Sequence, residues 1–356
     1  MDLLSNFSLD NKKSCLRILP YLLSEDIEID HRISRKGQRQ VDRLMKPIHK
    51  DILTQELASL PPEQCLLTKN HFQVYYGYYD QIPETVKEIG RLREKTFRVL
   101  NEGSGLSCDT DRFDQTYTHL FIWNNASKEI IGAYRMGQTD RLLAEGDITQ
   151  LYLSSLFHYT ADFLSNVYPG LEMGRSFIIP KYQRTFYGLL LLWKGIGAFL
   201  VKFPHYHTLF GTVSISTTYS PASIALMKEV LVGDKFTIQP INMFHCRLHS
   251  EVKNYIKQYG LSIEELSQLI KIIEPDHKNL PILIKQYMKL GARFHSIALD
   301  KGFNNTPGVL LTVRMPEAQP KFLQLFLGKH SKNYLAYDQA AGHKHSQAFC
   351  LKMLAN

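Results

Sequence analysis

The run from residue 171 to residue 201 constrains this chain most. Leu171, Glu172, Met173, Gly174, Arg175, Ser176, Phe177 and Ile178 read as a strand. Pro180, Gln183 and Arg184 mark a polar turn, and the apolar stretch 188–200 reads as a helix. A helix N-terminus offers free N–H groups and partial positive charge to an anion. A strand that carries an acid and a cation into a basic turn at a helix start therefore suits thioester and phosphate chemistry. The apolar helix is shorter than the roughly 20 residues a membrane span needs, and Lys194 interrupts it. It is expected to be a buried core helix.

Composition narrows the setting. The chain has 356 residues, 44% hydrophobic and 21% charged, which is a globular make-up with room for one large domain or two smaller ones. A net charge of +8 favours acidic partners. The five cysteines lie far apart with no CxxC pair, so neither a zinc ribbon nor a disulfide framework is expected, and a reducing compartment fits. The N-terminus lacks a basic region followed by an apolar core, so no signal peptide is expected. The expected location is cytoplasmic, with peripheral contact at the inner membrane face as the added option.

Residues 1–60 read as a basic, mostly helical arm, closed by Pro61-Pro62. From residue 72 to 79 aromatic and β-branched residues predict a strand. Pro83 then opens a helix to about Leu100, with Val86, Ile89, Leu92 and Phe97 at helical spacing. Residues 118–123 and 129–136, joined by a turn at Asn124-Asn125, form a hairpin. A strand over 207–215 follows the apolar helix, and Ser220-Pro221 starts another helix. The order predicts an α/β (α+β) fold with a mixed, largely antiparallel sheet flanked by helices. Beyond about residue 240 come helices, one with the capping-box spacing Ser262/Glu265, and a strand pair over 292–299 and 309–313.

Four constellations could carry chemistry. Glu172 and Arg175 lie on opposite faces of a regular strand, unless a bulge intervenes. Gly174 permits such a bulge, which would free backbone N–H groups to hold a thioester oxyanion; the plain alternative is a strand-end salt bridge. Asp109, Asp111 and Asp114 crowd one loop and need a cation. The EF-hand glycine and terminal glutamate are missing, so Arg93 and Arg135, rather than a metal, are the expected answer. The turn at Gln183 and Arg184 has only Gly188 as a small residue and is weak as a phosphate loop. His295 and Asp300 have the His-x4-Asp spacing of glycerolipid acyltransferases, without that family's other motif, and read as a chance match. No nucleic-acid module is visible, and the basic residues are scattered.

The text of residues 60–325 resembles the bacterial GNAT-like N-acyltransferases that include ornithine–acyl-carrier-protein N-acyltransferases and long-chain N-acyl amino acid synthases, many labelled hemolysin-like. The matching segments include Glu88-Ile89-Gly90-Arg91-Leu92-Arg93, Asp111-Arg112-Phe113-Asp114, Gly132-Ala133-Tyr134-Arg135, Glu172-Met173-Gly174-Arg175 and Phe210-Gly211-Thr212-Val213-Ser214. The pattern is similar, more distantly, to acyl-homoserine lactone synthases, although the strand reads Glu-Met-Gly-Arg instead of Glu-x-Ser-Arg. The resemblance implies a GNAT-like domain over 61–240, a C-terminal α/β extension of the same catalytic unit over 241–330, and a tail over 331–356. It also implies transfer of a long-chain fatty acyl group from acyl carrier protein to the amino group of an ornithine-, glycine- or lysine-like amine. In that reading Glu172 is the base, and Arg93, Asp111, Asp114, Arg135 and Arg175 frame the amine. Backbone near Gly174 holds the oxyanion, and Lys181 and Arg184 meet the phosphopantetheine phosphate. No metal or resident cofactor is implied. The degenerate phosphate loop favours acyl carrier protein over coenzyme A. The alternatives are a coenzyme A-dependent GNAT acetyltransferase of a small amine and a non-catalytic lipid-surface binding protein.

Overall fold

The computed structural model describes residues 9–24, 27–33, 40–144, 146–183, 186–233 and 238–341. Eight strands of these residues share one sheet: β1 (Cys65–Lys69), β2 (Phe72–Gly77), β3 (Thr118–Asn124), β4 (Glu129–Gln138), β5 (Gly170–Ile178), β6 (Thr208–Ser214), β7 (Arg293–Asp300) and β8 (Thr306–Arg314). Their order across the sheet is β7-β8-β6-β5-β4-β3-β2-β1. Every neighbouring pair is antiparallel except β5 and β6. The mixed, largely antiparallel sheet flanked by helices is the fold the sequence predicts.

Helices cover both faces. Helix α1 (Pro83–Arg98) carries Pro83 in its first turn, where a missing N–H costs nothing, and Lys95 and Arg98 in its last, where they complement the helix dipole. Its Val86, Ile89 and Phe97 pack with Phe121, Trp123, Ala133 and Phe177. Helix α2 (Phe186–Lys202) lies on the opposite face, where Leu191, Leu192, Ile196 and Phe199 join Leu120, Ile122, Ile131 and Tyr134. The alternation of Leu120 and Ile122 with Phe121 and Trp123 is the period of a strand covered twice, and every residue of β3 is buried. Among the described residues no helix is long and apolar enough to cross a membrane. Helix α2 is a core helix.

The strand pair expected after residue 240 forms β7 and β8, which extend the main sheet beside β6. Strand β1 and the helix Ser331–Ala341 were not anticipated. Within the expected arm, the helix Lys50–Ser59 packs Leu53 and Leu57 into the core beneath α1. The capping box at Ser262 and Glu265 forms as its spacing predicts.

One feature of the sheet makes the site. β5 and β6 are paired only from Gly170–Thr208 to Met173–Gly211. A Cβ on Gly211 would run into the carbonyl of Met173, so glycine permits the close approach at the last paired position. Beyond it the strands part. β5 stays with β4 and β6 stays with β8, leaving the edge of β5 after Met173 unpaired toward β6. On its other side β5 is bulged: Arg135 faces Gly174 while Ala133 faces Phe177, one residue more on β5 than on β4. The bulge expected in this segment is present, and Arg175 takes its left-handed conformation, with φ of 53°.

Candidate active site

The fork between β5 and β6 opens into a narrow cleft of about 90 Å³. Its walls include Tyr152, Gly174, Arg175, Ser214 and Asp300, with Leu283 and Tyr287 supplied by helix α3 (Ile282–Lys289). A small apolar pocket of about 10 Å³ lies behind the fork, lined by Trp193, Ile196, Leu209 and Leu311. The two share Met173, Thr212 and Tyr287.

Beside the cleft three arginines meet three aspartates. Gly90 of α1 prepares this meeting. Its carbonyl accepts from the Asp109 N–H at 3.2 Å, and a Cβ there would lie 2.6 Å from Thr110 Cγ2. The bare helix face thus lets the acidic loop lie flat, one turn from Arg93. Arg93 donates Nε to Asp109 at 2.7 Å, a further N–H to the Asp109 carbonyl, and Nη1 and Nη2 to Asp114 at 3.1 and 3.0 Å. Arg135 donates Nη1 to Asp111 at 2.6 Å and to Asp114 at 3.0 Å. Guanidinium forks suit such shared carboxylates. Burial alone would raise Asp109 and Asp114, but the surrounding arginines outweigh it and hold both below the usual carboxylate range.

Arg175 is different. Its Nε and Nη2 stand 3.8 and 3.9 Å from Asp109 and Asp111, too far for hydrogen bonds. Nη2 donates to the Tyr152 hydroxyl at 3.3 Å, and the buried Nε has no hydrogen-bond partner among the described residues. The guanidinium lies 4.6 Å from the ring centre of Phe303 and 5.0 Å from that of Tyr152. Its charge is held by aspartates and rings while its donors remain underused. The simple salt bridge between Glu172 and Arg175 does not form, because Arg175 pairs with the acidic loop instead.

Glu172 is 2% exposed and its carboxyl faces away from the cleft. Oε1 accepts the Leu153 N–H at 3.0 Å, while Oε2 is buried with no partner among the described residues. Burial pushes the carboxyl up to about 8, against the pull of the Leu153 N–H and Arg135. Glu102, near Ser214 and Arg175, is pushed by burial to about 7.

Residues 92–194 match the model of the acetyltransferase (GNAT) domain. The chain is an acyltransferase carrying a GNAT domain. It is 27% identical to a glycine N(alpha)-acyltransferase of Bacteroides thetaiotaomicron over 82% of this chain and 92% of that protein. It is 28% identical to one of Phocaeicola vulgatus over 82% and 95%. An L-ornithine N(alpha)-acyltransferase of Agrobacterium fabrum is 25% identical over 67% of this chain and 78% of that protein. A solved CoA-dependent acyl-homoserine lactone synthase aligns at a TM-score of 0.34 and 10% identity over 73% of this chain and 89% of that one, too remote to argue from.

The GNAT segment holds Arg93, Asp111, Asp114, Arg135, Glu172, Gly174 and Arg175. The structure gathers all of these except the Glu172 carboxyl at the cleft or its charged frame. Around Gly174 a built Cβ would meet nothing within 4 Å, because the residue faces the cleft. Lys181 lies elsewhere: it is exposed and paired with Glu129 at 2.9 Å, roughly 20 Å along β4 from Arg135 at the usual strand rise. Arg184 lies outside the described residues. Sequence reasoning missed Tyr152, Phe303 and Asp300 as site residues, the last two from outside the GNAT segment. Only Asp300 carried any signal, its spacing from His295, and that pairing is not made. His295 Nε2 lies 2.8 Å from Thr312 Oγ1, whereas Asp300 accepts from Tyr152.

Proposed function

We propose that this protein transfers a long-chain fatty acyl group from acyl carrier protein to the amino group of a small amino acid of the glycine or ornithine class. The observation that carries this reading is Arg175: a cleft-lining cation with a buried, unpartnered donor and no tight carboxylate. An amino acid's carboxylate completes it. Arg93 is saturated by Asp109 and Asp114, and Arg135 is tied to Asp111 and Asp114 through Nη1, although its buried Nε has no partner among the described residues. Outside the lining of the cleft, the two serve as the rigid frame that sets Arg175 in place. The names of the glycine and ornithine acyltransferases to which the chain is similar support the same substrate class.

The thioester carbonyl would lie against the unpaired edge of β5 near Gly174, where backbone N–H groups can take the charge that develops on oxygen. The acyl chain would run past Met173 toward the small apolar pocket in front of Trp193, which must widen to take it. Glu172, whose carboxyl lies behind the strand, would be the final acceptor of the amine's proton, reached from the cleft through water. A carboxyl pushed to about 8 suits this role near neutral pH. The net positive charge favours an acidic carrier protein in the cytoplasm.

Purified protein supplied with glycine or ornithine, and with either hexadecanoyl-acyl carrier protein or acetyl-coenzyme A, tests this by mass spectrometry of the products. N-hexadecanoyl amino acid formed from the carrier protein is expected. Acetylated amine formed only from acetyl-coenzyme A would favour the coenzyme A-dependent alternative, and no acylated product from either donor would sink the reading.

A further inference from the structure

Of all the residues lining the cleft, two carry charge: Arg175 and Asp300. They are bridged by one hydroxyl. Tyr152 donates its O–H to Asp300 Oδ2 at 2.5 Å and accepts from Arg175 Nη2 at 3.3 Å. The aspartates of the frame each pair with a guanidinium nitrogen. Asp300 has no such cation among the described residues, and its Oδ1 accepts no hydrogen bond from them. It lies at the end of β7, 8% exposed.

The turn that follows fixes it. Asn304 and Asn305 both adopt left-handed backbone, with φ of 58° and 52°. The Asn304 amide donates to the Asn101 carbonyl at 2.8 Å. Phe303 packs edge-on against Phe97 at 4.8 Å between ring centres and covers Arg175. Asp300, from outside the GNAT segment, is thus held over the cleft by a turn anchored on Phe97 and Asn101 within it.

We infer that Asp300 is a catalytic residue: it binds the substrate's ammonium and is the first acceptor of its proton. The inference rests on reading the cleft as an amino-acid site. An α-amino acid carries an anion and a cation separated by one carbon, and the cleft carries a cation and an anion separated by one hydroxyl. With the carboxylate on Arg175, the ammonium falls to Asp300. Asp300 accepts one proton from it and passes that proton to solvent or toward Glu172. The freed nitrogen lone pair attacks the thioester carbonyl, an N–C bond forms and the C–S bond breaks. The second proton leaves the nitrogen for the departing thiolate. Tyr152 is a positioning residue, which fixes the Asp300 carboxylate and ties it to Arg175.

The test compares wild type with Asp300→Asn, Asp300→Glu and Arg175→Lys. It uses glycine as substrate, acetate as an amine-free competitor, and hexadecanoyl-acyl carrier protein as donor. Asp300→Asn is expected to lower kcat/KM for glycine by about 100-fold or more, the scale of a positioned general base. It should leave acetate inhibition and the melting temperature unchanged. Asp300→Glu, which keeps the carboxylate, should recover part of the loss, and Arg175→Lys should weaken acetate instead. An Asp300→Asn enzyme with kcat/KM close to wild type would overturn the assignment. So would one that loses acetate binding together with activity, since Asp300 would then merely support the cleft. If acetate fails to compete in the wild type, the amino-acid reading itself falls and takes Asp300 with it.

Discussion

Glu172→Gln isolates the cost of keeping an acid in an apolar wall. The carboxyl is buried, holds the Leu153 N–H, and has its other oxygen unpartnered among the described residues. In the folded state it is pushed up to about 8 from an ordinary 4.5. A folded pKa above the unfolded one means that the native state binds more protons between those two values. The native state is therefore favoured at low pH and loses stability as pH rises through this window. At about 1.4 kcal/mol per unit, the penalty is on the order of 1 kcal/mol near pH 5 and about 4 to 5 kcal/mol near pH 8.5. Glutamine keeps the acceptor for Leu153 and removes the titration. Urea unfolding at those two pH values should show the wild type losing roughly 3 to 4 kcal/mol relative to Glu172→Gln as pH rises. Titrations of the aspartates are common to both proteins and cancel. Parallel stability curves would refute the buried, raised carboxyl.

Two substitutions test the frame. Arg93→Met removes the cation that answers both Asp109 and Asp114 and leaves two buried carboxylates short of a partner. The expected loss is about 3 to 5 kcal/mol in urea unfolding. Gly90→Ala places a methyl against Thr110 and Cys108 and should lift the acidic loop from α1. Activity is then expected to fall by about tenfold or more while far-ultraviolet circular dichroism stays native, as for any displaced positioning group.

What the sequence disclosed was mostly local. The Asn124-Asn125 hairpin, Pro83, the Ser220 cap and the Ser262/Glu265 box each declare themselves within a few residues, and each forms. The bulge was legible as a possibility through Gly174, but the left-handed residue is Arg175. An arginine takes that backbone only because Asp109, Asp111, Tyr152 and Phe303 hold its side chain, and these come from three distant parts of the chain. The pairing of β8 with β6 joins residues nearly a hundred positions apart, so nothing near Asp300 announces the cleft it enters. Glu172 was legible as an acid on the right strand. Which way its carboxyl points depends on the turn at Tyr152–Ser155, which captures it with the Leu153 N–H. Lys181 was placed by its closeness in sequence to the turn, but Glu129 holds it at the far end of β4.

The central claim is that the cleft binds an amino acid by its carboxylate through Arg175. The most direct measurement compares kcat/KM for glycine with that for methylamine, which has the amine but no carboxylate, in the wild type and in Arg175→Lys. The account predicts a preference for glycine of about 100-fold or more in the wild type, the scale of a charge-assisted pair in a buried site. That preference should largely collapse in Arg175→Lys. Equal use of glycine and methylamine by the wild type, or an undiminished preference in Arg175→Lys, would contradict it.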